Sequence, residues 1–322
     1  MAYQQTIGAA GATRQSLPRV RAVAPRDLFG VLAKGWDDFR AIPSHALFLS
    51  LFYPIAGLLI AGWAFRYDIV PLLYPLMTGF ALVGPVAAIG IYELSRRREQ
   101  GLDTTWNHAF DLLSAESFWG ILALGVALLV IFGAWIAVAQ SIYVANFGYA
   151  PLNSFGDFAR QVLTTAPGHR MILVGNLVGL LFAIVAFSIS VVAFPLLIDR
   201  NIGAIAAAVV SVRAVLRNPL TMALWGLIVA AVLFVASLPV LVGLAVAIPV
   251  LGHSTWHLYR KVVVPDLPPR EPQRSEPKGR RYAPDFPAVL FPVYDQEPSS
   301  IASPSVVPDA EKGESVPLTG KR

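Results

Sequence analysis

PVAAIGIYELSRRRE, residues 85–99, passes from an apolar run through Tyr92 and the carboxylate of Glu93 into three consecutive arginines, Arg96, Arg97 and Arg98. Lysines and arginines beside a membrane span are retained on the cytoplasmic side, so this stretch reads as the point where the chain leaves a bilayer. The 322 residues are 56% hydrophobic and 14% charged, with a mean hydropathy of +0.60. A soluble domain carries about 25% charged residues, so a polytopic membrane protein is the expectation.

The formal charge is +5, but the basic residues stand beside the apolar runs and form no separate basic domain. Positive-inside bias accounts for the charge, and nucleic acid is not an expected partner. The chain has no cysteine, which excludes disulfides, thiolate metal sites and haem attached through Cys-x-x-Cys-His. Residues 1–44 show no apolar core followed by a small-residue cleavage site, so no removable signal peptide is expected and the first span serves as an anchor.

Outward from the opening stretch, residues 69–92 form the second span and residues 44–65 the first, joined by a short turn at Arg66, Tyr67 and Asp68. Each is long enough for about 30 Å of hydrocarbon. Before them, Leu28, Val31, Leu32, Trp36 and Phe39 recur at helical spacing, with Asp27, Lys34, Asp37, Asp38 and Arg40 mainly between them. This is the pattern of an amphipathic helix lying in the interface. Residues 1–24 are polar, and read as a disordered cytoplasmic arm.

A second amphipathic segment starts at the N-cap Asp103, with Trp106, Ala109, Phe110 and Leu113 on one face. Spans three and four follow at about 118–143 and 171–198, separated by an outer segment in which Phe155–Val162 reads as a surface helix. After Asp199, Arg200 and Asn201, a third amphipathic segment places Ile205, Val209, Val212 and Leu216 on one side, with Arg213 and Arg217 flanking. Spans five and six, about 220–238 and 240–259, are separated at Pro239 and end at Arg260 and Lys261.

All but three of the 25 lysines and arginines fall on one side of this arrangement, the exceptions being Arg66, Arg160 and Arg170. The fold expected is all-α: about six transmembrane helices as three hairpins, each preceded by a cytoplasmic amphipathic helix, with both termini cytoplasmic. Residues 265–322 read as a disordered, proline-rich cytoplasmic tail. Within it YAPDFPAVLFPVYD, residues 282–295, is either a set of sticky side chains or a short docking motif.

The arrangement of amphipathic helix, break and hairpin occurs three times, which makes a parallel repeat. The closings of the first and third units align without gaps, PVAAIGIYELSRR (85–97) against PVLGHSTWHLYRK (249–261). FWGIL (118–122) and LWGLI (224–228) open the second and third hairpins alike. The runs DDFRAIPSHALFLSLFYPIAGLL (37–59), GFALVGPVAAIGIYELSRRREQGLD (79–103) and SLPVLVGLAVAIPVLGHSTWHLYRK (237–261) resemble the bacterial integral-membrane family known as domain of unknown function 2189, over roughly Leu28–Val263. The resemblance implies a polytopic bacterial inner-membrane protein; the family brings no established activity, cofactor or catalytic residue.

Ionisable groups at mid-membrane depth would mark an ion or proton path. Spans three, five and six have none through their centres, and span four offers only Asn176, Ser188 and Ser190, which argues against a coupled carrier. Glu93, Arg96, Arg97, Asp199, Arg200 and Arg260 lie at inner helix ends. They read as topology signals with solvated counter-ions, or as a rim that neutralises itself or binds lipid headgroups. His253 and His257 share a helix face at metal-ligand spacing, but lack acidic or cysteine company, and are expected to make interfacial hydrogen bonds instead. No metal or other cofactor is expected, and no GxSxG, phosphate loop or carboxylate pair points to an enzyme. Gly57/Ala61, Gly84/Ala88, Gly133/Ala137, Gly175/Gly179 and Gly243/Ala247 fit small-xxx-small packing.

The function expected is that of a non-enzymatic scaffold, accessory subunit or lipid-linked envelope protein. Its partners are membrane lipids, with a membrane-protein partner or a second copy also open. The alternative is a transporter or flippase for an apolar or amphiphilic substrate, with helices bent at Pro85, Pro195 and Pro249 around a cavity.

Overall fold

The computed structural model describes residues 17–42, 51, 55–59, 62, 70–80, 84–105, 115–149, 154–239 and 241–264. Most of the first span, the second amphipathic segment from Trp106 to Leu113 and the tail with its 282–295 motif lie outside the described residues, as do residues 1–16 of the arm. Among the described residues every regular element is a helix, apart from one isolated bridge between Val20 and Val263.

Three described helices are long and apolar enough to cross a membrane. The first, α5 (Phe118–Phe147), has 30 residues, close to 45 Å at ~1.5 Å per residue. It ends at Gly148, whose φ of 73° is open to glycine at no steric cost. The short α6 (Phe155–Thr164) begins at Ser154, whose hydroxyl accepts the Asp157 N–H at 3.1 Å. Next, α7 (Ala166–Ser190) begins at Thr165, whose hydroxyl accepts the Gly168 N–H at 3.2 Å. A Cβ on Gly168 would stand 2.3 Å from the Val162 carbonyl oxygen, so only glycine permits this tight joint.

Helix α7 breaks at Val191–Val192 and continues as α8 (Ala193–Asp199), giving a 34-residue rod. Pro195 supplies no N–H for the Val191 carbonyl and clashes with it, which is the cause of the break. The loosened Val192 N–H donates instead to Ser211 Oγ at 3.1 Å. The last of the three is α10 (Pro219–Ser237), with proline in its first turn.

Shorter pieces surround these rods. On one side lie α1 (Asp27–Ala41), α4 (Ile89–Glu99), α9 (Ala204–Arg217) and the C-terminal half of α11 (Leu244–Val262). The second span of the sequence reading is not one rod: a 3-10 turn at Val70–Leu72 leads into α2 (Leu73–Phe80), α3 (Gly84–Ala87) and then α4. α2 packs on α5 where Trp135 fits between Gly79 and Gly179 and donates to the Pro75 carbonyl at 3.0 Å. The Gly175/Gly179 pair is therefore half used, and Gly133 and Gly175 face open space.

The core is concentrated at one end. Every residue of α8 is buried, and Trp225, Trp256, Tyr259, Leu94 and Leu258 close around it. Toward the other end fewer residues are buried, and Leu173, Leu177, Leu180 and Leu181 of α7 lie outside. Burial of that surface would stabilise by roughly 25 cal/mol per Å² in water, so its exposure requires hydrocarbon around it.

One sequence expectation is corrected. The disordered arm does not extend through residues 17–24: Arg21 N–H donates to the Val262 carbonyl at 2.7 Å, Val264 N–H to Arg19 at 2.9 Å, and Val23 N–H to Asn218 Oδ1 at 2.7 Å. Backbone groups freed at the end of α11 find their partners there, which composition does not register. The third amphipathic helix, α9, keeps the stripe read from the sequence and turns it outward: Ala207, Val210, Ser211 and Ala214 face the protein, while Ile205 and Leu216 are 83% and 74% exposed. Small side chains let α9 lie close over the α7–α8 break, and bulky ones would not fit there.

Helices α1 and α11 approach each other closely at Gly35. A Cβ on Gly35 would lie 2.0 Å from Ser254 Oγ and 2.7 Å from its backbone nitrogen, whereas one on Gly30 meets nothing within 4 Å. G35A is expected to cost about 1–3 kcal/mol through overpacking against backbone, and G30A to be neutral or stabilising by up to ~1 kcal/mol. Thermal unfolding of both variants in detergent checks this; a G35A protein as stable as G30A would contradict the packing.

Candidate functional site

The polar residues converge where the packed ends of α1, α4, α8 and α11 meet. α4 and α11 run side by side in the same direction. Gly252 approaches Ile91, Ser95 meets His253, and Glu99 accepts from Trp256 Nε1 at 2.9 Å and from Arg260 at 3.0 Å. Glu93 and Arg96 therefore stand at the same end as His257 and Arg260, although the contacts are offset from the aligned closings, which pair Ser95 with Tyr259 and not with His253.

The rim residues are buried, not solvated. Glu93 and Asp199 are each 2% exposed, and Arg96, Arg97 and Arg200 are buried beside them. Arg96 grips Glu93 through two bonds, Nη2 to Oε1 at 2.6 Å and Nε to Oε2 at 2.8 Å, with Arg97 at 3.6 Å. Asp199 Oδ2 accepts from Tyr259 OH at 2.5 Å, with Arg200 at 3.3 Å and Arg260 at 3.5 Å. Burial alone would lower the Arg96 guanidinium, but the Glu93 carboxylate and the charge of Asp199 outweigh it and raise it above its ordinary value. Such a cluster is stable only while complete, because removing one partner of a buried pair leaves a bare charge at a cost of about 3–5 kcal/mol.

A second node centres on Asp38 of α1. Its carboxylate accepts from Ser95 Oγ and from His257 Nε2, both at 2.9 Å, and pairs with Arg98. Ser95 Oγ also lies 2.6 Å from His253 Nδ1. Since the single Ser95 proton goes to Asp38, the ring nitrogen facing it must carry the proton and donate. The chain of bonds then runs from His253 through Ser95 to Asp38, where His257 and Arg98 also donate. His253 Nε2 and Ser254 Oγ are buried with no partner among the described residues.

Serine, histidine and aspartate are the residue types of a hydrolase triad, but the order differs here. In a triad the carboxylate holds the far ring nitrogen of the histidine and leaves the serine free to attack. Here the carboxylate holds Ser95 itself, which is 1% exposed. The node ties α1, α4 and α11 together. His253 and His257 do turn toward one carboxylate, yet Ser95 stands between, with His253 Nδ1 3.9 Å from Asp38. Among the described residues no group of three or more His, Asp and Glu side chains is placed to hold a metal ion.

Asp38 falls with the polar residues in the sequence reading, and that assignment is corrected. Leu28, Val31, Gly35 and Asp38 are spaced by three, four and three residues and form the buried stripe of α1. Gly35 hides this stripe from a hydrophobicity pattern. Ser95 and Glu99 are further members that sequence did not single out, and Arg98 was read only as a topology signal.

Burial acts to raise the Asp38 carboxyl, but the hydrogen bond and charge of His257 and the bond from Ser95 outweigh it and hold it below 3.8. A carboxylate so depressed contributes stability that is complete at neutral pH and is lost as pH falls below its ordinary value. D38N is expected to lower stability by about 2 kcal/mol at pH 7 and to flatten part of the loss below pH ~4. D37N, at an exposed neighbour, leaves both unchanged. Unfolding midpoints measured across that pH range check this, and a D38N profile parallel to wild type would contradict it.

No curated protein and no solved structure matches the chain. Residues 73–199, from α2 to the end of α8, match the family model described as a predicted integral membrane protein (DUF2189). The resemblance read over roughly Leu28–Val263 is thus matched over that shorter stretch, and the three long apolar helices agree with an integral membrane protein.

Proposed function

We propose that the protein is a multi-pass scaffold or accessory subunit of the bacterial inner membrane, without catalytic activity, with six spans in three hairpins and both termini cytoplasmic. The observation that carries this reading is the use made of the converging polar groups. Asp38, Glu93, Glu99 and Asp199 each spend their acceptor capacity on side chains of the same chain. A polar cluster consumed in this way fixes the relative positions of helices and presents a firm surface to the membrane and to partners.

The topology has its own support. The Val20–Val263 bridge brings the start and finish of the described chain to one end, which calls for an even number of crossings between them. The same end gathers Arg96, Arg97, Arg98, Arg200 and Arg260, the residues that positive-inside bias assigns to the cytoplasm.

Purification of the full chain in native nanodiscs, followed by mass spectrometry of what accompanies it, tests the proposal. A scaffold or accessory subunit is expected to retain a stoichiometric protein partner, a second copy or bound phospholipid. A bare monomer, or turnover of a small substrate, would contradict it.

A further inference from the structure

Helix α9 places its bulky apolar side chains on the wrong side for a helix that packs only against its own protein. Ala207, Val210, Ser211 and Ala214 fill the contact with the bundle, while Ile205, Val209 and Leu216 point away from it. Leu220, just after α9, is 71% exposed. Arg213 and Arg217, both exposed, lie one turn apart along the flank of that stripe.

The two arginines differ from most of the cations at this end of the molecule. Arg96, Arg98, Arg200, Arg260 and Lys261 each have a carboxylate partner. Among the described residues Arg213 and Arg217 have none, and α9 itself contains no acidic residue. Like charges four apart on a helix repel each other unless an anion lies between them. An apolar stripe beside two uncompensated guanidinium groups complements an acyl chain beside a phosphate.

We infer that the outward face of α9 seats an anionic phospholipid of the surrounding membrane, with Arg213 and Arg217 on the headgroup phosphate and Ile205, Val209 and Leu216 along the acyl chains. The inference rests on the membrane-scaffold reading and names one of its ligands. It also moves headgroup binding away from Arg96, Arg97 and Arg200, which are occupied inside the rim.

The test uses the full chain in nanodiscs of phosphatidylcholine with a minor share of phosphatidylglycerol. Lipid retained on the released protein is counted by mass spectrometry for wild type, R213Q/R217Q and, as a control on α1, R26Q. Phosphatidylglycerol is expected to be enriched over its bulk share by on the order of fivefold per arginine engaged, with the enrichment lost in R213Q/R217Q and kept in R26Q. Because the chain has no cysteine, V209C carries a single fluorophore, which acyl-brominated lipid is expected to quench and a water-soluble quencher to leave bright.

Enrichment that survives R213Q/R217Q overturns the site and leaves the scaffold reading standing. Quenching of the V209C label from water, or an acidic protein retained in place of lipid and lost in R213Q/R217Q, also overturns it. A particle carrying neither lipid nor partner overturns both.

Discussion

A carboxylate taken out of water must be met by cations and hydrogen-bond donors, or it does not stay ionised. Asp38, Glu93 and Asp199 are all buried at one end of a bundle that is otherwise mostly apolar. Their demand for partners brings α1, α4, α8 and α11 together, and no single helix satisfies all three. Glu93 draws on Arg96 and Arg97 of its own helix, Asp199 reaches Tyr259 and Arg260 of α11, and Asp38 reaches across to α4 and α11. Hydrophobic burial supplies the bulk of the packing there, and the ion pairs set which faces meet.

The opposite end obeys a different rule. Away from the polar end α5 and α7 stay in contact through Trp135, which meets Gly179 and Phe182, while the leucines of α7 and α10 face outward. In lipid no hydrophobic force drives apolar helices together, so loose association there is expected. Helix α9 belongs to both regimes. It is anchored by alanines and by Ser211 over the α7–α8 break, and its apolar stripe is turned toward the surroundings.

Much of this was legible in the sequence where the signal is local. The long apolar runs at 118–143, 171–198 and 220–238 match α5, the α7–α8 rod and α10 closely, because span length and charge exclusion are set by the bilayer. The surface helix at Phe155 was legible in the sequence, as was the placing of the ends of α4 and α11 at one end of the bundle. What escaped was decided by tertiary contact. Asp38 looks like a solvent-facing residue until Ser95, Arg98 and His257 are seen around it. Arg96 and Arg97 look like headgroup ligands until Glu93 is found between them. The direction of α9 is invisible to a moment calculation, which identifies the apolar face but not what lies against it.

The central claim is that these buried carboxylates hold the start and the finish of the described chain together at one end of the bundle. Val20 and Val263 are paired across that junction, and the absence of cysteine allows a V20C/V263C pair to be read without background. Oxidation of intact membranes is predicted to join the pair rapidly in the otherwise wild-type chain, and far more slowly once D38N and D199N are added. A pair that stays reduced, or one that closes just as fast without the two carboxylates, would contradict the account.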